Sequence, residues 1–97
     1  MSTKNKIAII TGGSRGLGKD MALRLADYGN DVIITYHSQK EAADEVAAEI
    51  ESKGKKAAVL QYDSSDFKSL DSFLQLVARL LKEKWSTDKF DFLINNA

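Results

Sequence analysis

The apolar run Ile7-Ala8-Ile9-Ile10 passes through Thr11 straight into Gly12-Gly13-Ser14-Arg15-Gly16-Leu17-Gly18. Beyond this turn the apolar residues fall at helical spacing: Leu17, Met21 and Leu25, with Ala22 and Ala26 beside them. A strand, a glycine-rich turn and a helix N-terminus in that order constrain the fold more than any other feature of the chain. They bring backbone N–H groups and the positive end of a helix dipole to one place, which suits an anion. Glycine lets the backbone approach a pyrophosphate and lets the helix pack tightly on the strand. The plain alternative is a tight structural turn. The position of the run, between strand and helix, favours a nucleotide site.

The rest of the chain repeats the alternation. Lys6 to Thr11 reads as a buried strand, because its apolar run is continuous. A helix is expected from Leu17 to about Tyr28, stopped by Gly29-Asn30. Val32 to Tyr36 is β-branched and bounded by turn residues, a second strand. Gln39 to Lys53 is helical, with Ala43, Val46, Ala47 and Ile50 on one face and Gly54 at the stop. Ala57 to Tyr62 gives a third strand. Ser64 or Ser65 can cap a third helix that runs to about Lys84, with Leu70, Phe73, Leu74, Val77, Leu80 and Leu81 on its apolar face. Trp85, in the loop Lys82–Lys89, is expected to anchor that loop on the sheet, the alternative being a place on a partner surface. Phe90 to Asn95 forms a fourth strand.

A β-α-β-α-β-α-β order predicts an α/β fold of Rossmann type, a parallel sheet between helical layers. Right-handed crossovers give the strand order 3-2-1-4. Residues 1–97 are then the N-terminal part of a single dinucleotide-binding domain. Its fourth strand is an apolar edge (Phe92, Leu93, Ile94), and exposed apolar edges invite pairing. The expectation is a chain truncated as a folding unit, or one that pairs along that edge.

Bulk composition excludes several alternatives. With 97 residues, 43% of them hydrophobic, the chain is long enough for one small globular domain. A formal net charge of zero gives no reason to expect nucleic acid or an acidic membrane as partner. The absence of cysteine removes disulfides and thiolate metal sites, and a single histidine argues against an imidazole-built one, so no metal is expected. No apolar stretch approaches the ~20 residues of a membrane span, and the N-terminus lacks a signal-peptide core. The expected location is cytoplasmic. The cluster Lys53-Gly54-Lys55-Lys56 is a helix C-terminus that favours cations.

The end of the second strand bears on the choice of nucleotide. An acid there would hydrogen-bond the ribose 2′-hydroxyl of NAD. This strand ends Thr35-Tyr36-His37-Ser38, and Asp31 lies at its wrong end. Arg15, within the glycine turn, carries a guanidinium that can fork onto a 2′-phosphate, and His37 and Ser38 add donors beside it. This pattern favours NADP(H). The alternative is that Arg15 is a solvated loop cation and Tyr36 stacks on adenine without selecting either cofactor.

The spacing Gly-x-x-x-Gly-x-Gly (Gly12, Gly16, Gly18) after Thr11, together with Asp63 after the third strand and Asn95-Asn96-Ala97 after the fourth, resembles the short-chain dehydrogenase/reductase family of classical type. The resemblance covers the whole chain and lies nearest the branch of β-ketoacyl-carrier-protein reductases and sugar dehydrogenases. It implies that Asp63 and Ser64 contact adenine, that Asn96 and Ala97 line the ribose on the nicotinamide side, and that Ser14, Arg15, Gly16 and Leu17 surround the pyrophosphate. It also implies an NADP-dependent oxidoreductase that moves hydride between the cofactor and a small-molecule carbonyl or alcohol, as a homo-oligomer when complete.

In that family the catalytic Ser and Tyr-x-x-x-Lys follow the strand-four motif, so no catalytic residue is expected in these 97 positions, and the chain alone is expected to be inactive. The literal match Tyr36-x-x-x-Lys40 lies by the adenosine ribose, far from where hydride moves. Rival readings are a non-catalytic NADP(H)-binding or sensing module, told apart by the downstream Ser and Tyr-x-x-x-Lys, and a structural fragment assembling through strand four, which would oligomerise without cofactor affinity. A methyltransferase-type fold would need the acid that the second strand lacks.

Overall fold

The computed structural model describes residues 6–13, 16–62, 69–87 and 89–95. The elements follow one another as β1 (Ile7–Thr11), α1 (Gly16–Asp27), β2 (Asp31–Tyr36), α2 (Lys40–Ser52), β3 (Ala57–Gln61), α3 (Ser69–Trp85) and β4 (Phe92–Asn95). All strand pairs are parallel and the order is β3-β2-β1-β4, as the crossover rule predicts. The expected cap at Ser64 or Ser65 lies outside the described residues.

Both faces of β1, β2 and β3 are covered, which explains their continuous apolar runs. On one face Ile10, Val32, Ile34 and Ala57 pack with α1 and α2 through Ala22, Ala26, Ala43, Val46 and Ile50. On the other, Ile7, Ile9, Ile33 and Ala58 pack with α3 through Phe73, Val77, Leu81 and Trp85. Each such Ile or Leu taken out of water contributes ~1.5–3 kcal/mol.

Two helical faces are rotated from the expected ones. In α1 the buried line is Gly18, Ala22 and Ala26, whereas Leu17 is 70% exposed. Residues four apart share a helix face, and a line of small residues brings this helix close to the sheet. Met21 and Leu25 fill the flanks, and Leu17, one position before Gly18, turns outward. In α3 the buried line is Phe73, Val77, Leu81 and Trp85, and Leu74 is 50% exposed. Tyr62 stacks on Phe73 with ring centroids 4.2 Å apart.

The helix stops follow the sequence. At the end of α1 the Gly29 N–H donates to Ala26 and the Asn30 N–H to Leu25, the paired bonds of a Schellman end. The Gly54 and Lys55 N–H groups repeat the pattern on Glu51 and Ile50. Strand β4 starts at Phe92, two residues later than expected, because Asp91 occupies the entrance to the ladder. The Asp91 N–H donates to Ile7 O, and its Oδ2 accepts the Ile7 N–H, both at 2.8 Å.

Candidate functional site: the turn between β1 and α1

The parallel register places the ends of β1 and β2 side by side, with Ile10 opposite Ile34. The chain leaves β1 and turns over the end of β2. Gly12 adopts φ 67° and Gly16 φ 60°, left-handed values that glycine takes without steric cost. The Gly12 N–H donates to Thr35 Oγ1 at 3.0 Å, and the Gly13 N–H donates to Thr35 O at 3.1 Å.

Gly13 is the residue whose importance the motif spacing hides. A Cβ placed there would stand 2.7 Å from Ile34 Cγ2 and 2.8 Å from Ile34 Cβ. The backbone of the turn therefore lies directly on the β2 side chain, and only glycine fits. The doubled Gly12-Gly13 was the signal available. At Gly16 the same test meets nothing within 4 Å, so the mouth of the turn is open. Gly18 lies on the buried face of α1, where it allows close packing on the sheet. Leu17 reaches the site only through its backbone, since its side chain points into solvent.

Beyond Thr35 the strand delivers Tyr36, His37 and Ser38 to the same edge. Tyr36 is half-buried against the α1–α2 core, while His37 and Ser38 are exposed. Strand β3 braces this segment. Tyr62 N–H donates to Tyr36 O at 2.9 Å, and Gln61 Nε2 donates to His37 O at 3.1 Å. The structure thus brings Gly12, Gly16, Leu17, Gly18, Tyr36, His37 and Ser38 to the carboxyl edge of the sheet. Ser14, Arg15, Asp63, Ser64, Asn96 and Ala97 lie outside the described residues.

Two other candidates resolve into structural roles. Asp31 sits at the opposite end of β2, where Oδ1 accepts the Lys56 N–H at 2.8 Å and Oδ2 accepts Trp85 Nε1–H at 2.7 Å. Trp85 does anchor on the sheet, but as the last residue of α3 rather than from a loop. Lys40 donates to Asp44 Oδ2 at 2.8 Å, one turn along the exposed face of α2. The hydrogen bond and charge of Asp44 hold the Lys40 ammonium above its ordinary pKa. Its first partner is a carboxylate, unlike a lysine arranged to acidify a tyrosine. Among the described residues no cluster of potential ligands could hold a metal ion, and no helix is long and apolar enough to cross a membrane.

Residues 6–97 match the short chain dehydrogenase family. The short-chain dehydrogenase/reductase FrzI of Cladobotryum sp. is 38% identical over 96 residues, covering 99% of this chain and 35% of that protein. The 3-oxoacyl-[acyl-carrier-protein] reductase of Synechocystis sp. is 37% identical over 95 residues, covering 95% of this chain and 35% of the relative. A short chain dehydrogenase from Burkholderia cenocepacia, solved in complex with NADP, superposes with a TM-score of 0.81 at 41% identity, over 95% of this chain and 35% of that one. The chain spans about a third of the length of these relatives. The parallel 3-2-1-4 sheet, the glycine turn lying on β2 and these likenesses agree, and the chain belongs to the short-chain dehydrogenase family.

Proposed function

We propose that this chain is the cofactor-binding portion of an NADP-dependent short-chain oxidoreductase. The observation that carries the reading is the glycine turn seated on Thr35 beside a β2 end that has no carboxylate. The residues fit a dinucleotide. The turn is open above Gly16, and the described end of β2 offers Tyr36, His37 and Ser38 instead of an acid that would repel a 2′-phosphate. The NADP held by the Burkholderia cenocepacia relative supports the same choice.

In this reading Gly12, Gly16 and Gly18 shape the pyrophosphate turn, and backbone N–H groups from Ser14 to Leu17 surround the anion. Arg15, His37 and Ser38 take the 2′-phosphate, and Tyr36 flanks the adenine. Asp63 and Ser64 hold the adenine edge, and Asn96 and Ala97 line the ribose. When bound, the nicotinamide supplies or accepts the hydride exchanged with a carbonyl or alcohol. These 97 residues bind and orient the cofactor, and they contribute no proton-transfer group, so the chain alone turns nothing over.

Titration with NADPH and NADH, followed by nicotinamide fluorescence or calorimetry, tests the reading. Saturable binding that prefers NADPH is expected. Loss of a charge-assisted contact makes Arg15→Ala weaken NADPH on the order of tenfold while leaving NADH nearly unchanged. Equal affinity for both cofactors, or an equal loss of both in the variant, removes the 2′-phosphate assignment.

A further inference from the structure

We infer that Thr35 is a positioning residue for the cofactor, its buried hydroxyl setting the glycine turn in register with the segment Tyr36–Ser38. This deepens the proposed function and rests on it. Thr35 follows the apolar run Val32-Ile33-Ile34 and is itself 1% exposed. A valine of nearly the same shape would satisfy strand propensity there equally well, so the hydroxyl needs a reason. Buried polar groups are retained where they are hydrogen-bonded, and Thr35 Oγ1 accepts the Gly12 N–H at 3.0 Å.

The carbonyl of the same residue accepts the next N–H, from Gly13, at 3.1 Å. One residue of β2 therefore holds two successive donors of the turn. The two bonds and the Gly13–Ile34 contact fix the turn in height and rotation over the strand. Immediately beyond, the Tyr36 and His37 carbonyls are held by Tyr62 N–H and Gln61 Nε2. The turn, the end of β2 and the end of β3 thus form one braced edge, with Thr35 joining the first two. A dinucleotide phosphate that spans the turn and the β2 end is sensitive to their relative placement. A ligand that meets only one of them is not.

Thr35→Val removes the acceptor and keeps the shape, whereas Thr35→Ser keeps the acceptor and removes a methyl group. Losing one hydrogen bond at the site makes Thr35→Val weaken NADPH roughly 3- to 10-fold, with Thr35→Ser within about twofold of wild type. Affinities are compared at a temperature where circular dichroism shows every variant fully folded. In wild type the Gly12 amide is expected to exchange with solvent as slowly as the β1 amides. Should Thr35→Val fail to fold, that exchange and the Ser variant decide.

Wild-type affinity in Thr35→Val overturns the proposal. So does an equal loss in the Val and Ser variants, which assigns the effect to methyl packing, and so does a fast-exchanging Gly12 amide. A wild-type chain that binds neither NADPH nor NADH removes the cofactor reading and this proposal together. Binding by wild type with no change in Thr35→Val removes the proposal alone.

Discussion

Trp85 donates its indole N–H to Asp31 Oδ2 at 2.7 Å, joining the last residue of α3 to the first residue of β2, with both side chains buried. The second carboxylate oxygen accepts the Lys56 N–H at the entrance to β3. Lys84 Nζ donates to Ala57 O at 2.6 Å, and Lys56 Nζ donates to Lys84 O at 2.9 Å. The amino edge of the sheet is thereby clamped to the end of α3, opposite the edge that carries the glycine turn. Trp85→Phe keeps an aromatic ring against the sheet but removes one hydrogen bond to a buried carboxylate, so it is expected to cost ~1.5–3 kcal/mol of unfolding free energy in urea, read by circular dichroism. Cofactor affinity of the folded variant should match wild type. A selective loss of affinity would contradict the purely structural role of the clamp.

Gly13 and Gly16 are both glycines of the turn, but they resist substitution for different reasons. Gly13→Ala forces a methyl group against Ile34, an overpacking that costs ~1–3 kcal/mol. Gly16→Ala meets no atom within 4 Å but must hold φ 60°, at a cost of ~1–2 kcal/mol. Asparagine tolerates the left-handed region better than alanine. Gly16→Asn should therefore recover stability relative to Gly16→Ala, whereas Gly13→Asn should be no better than Gly13→Ala. Thermal melts of the four variants separate the two causes, and parallel behaviour at both positions would refute the distinction.

The topology was legible because each strand carries an unbroken apolar run and α1 and α2 end in glycine stops. These signals depend on local chemistry and survive without knowledge of the partner. The direction in which each helix faces was less legible. Leu17 is as apolar as Met21, but the close approach of α1 to the sheet is set by Gly18, Ala22 and Ala26, whose small size registers weakly in a hydrophobic pattern. In the site, the Gly-x-x-x-Gly-x-Gly spacing located the turn but left Gly13 as filler. Its requirement arises from Ile34, twenty-one positions away in sequence and adjacent only through the β1–β2 register. Thr35 likewise looks, in the sequence, like one more β-branched residue of a strand. The Asp31–Trp85 bond pairs residues on different elements, and nothing local to either marks it.

Lys40 and Asp44 give a pH dependence of known sign. The folded-state pKa of Lys40 lies above its ordinary value of 10.5 because Asp44 hydrogen-bonds and attracts the ammonium. A raised folded pKa means that the stabilisation is fully present below the ordinary value and is lost as pH rises through the raised one. The stability difference between wild type and Lys40→Gln should therefore stay constant from pH 6 to 9 (about the range covered by common buffers) and shrink only in strong alkali. Both side chains of the pair are largely solvent-exposed, so added salt should shrink the difference at any pH. Melts at several pH values check both trends, and a difference that changes between pH 6 and 9 would place the titrating group elsewhere.

Strand β4 makes the last prediction. Among the described residues it pairs with β1 alone, placing Leu93 opposite Ile9. Ile9 is buried beneath α3, but Leu93 is 56% exposed, because α3 covers β1, β2 and β3 and leaves β4 bare on that face. Phe92, on the opposite face, is 42% exposed with Lys6 Nζ 5.7 Å from its ring centroid. Apolar side chains on both faces of an edge strand favour association between chains. The 97-residue chain should therefore sediment as larger species with rising concentration. Leu93→Lys introduces a charge that resists strand pairing and should shift the distribution toward monomer without lowering the melting temperature, since the wild-type leucine is already half in water. Sedimentation velocity across a concentration series reads both effects. A wild-type chain that stays monomeric throughout would show that the exposed face of β4 is not sticky enough to pair.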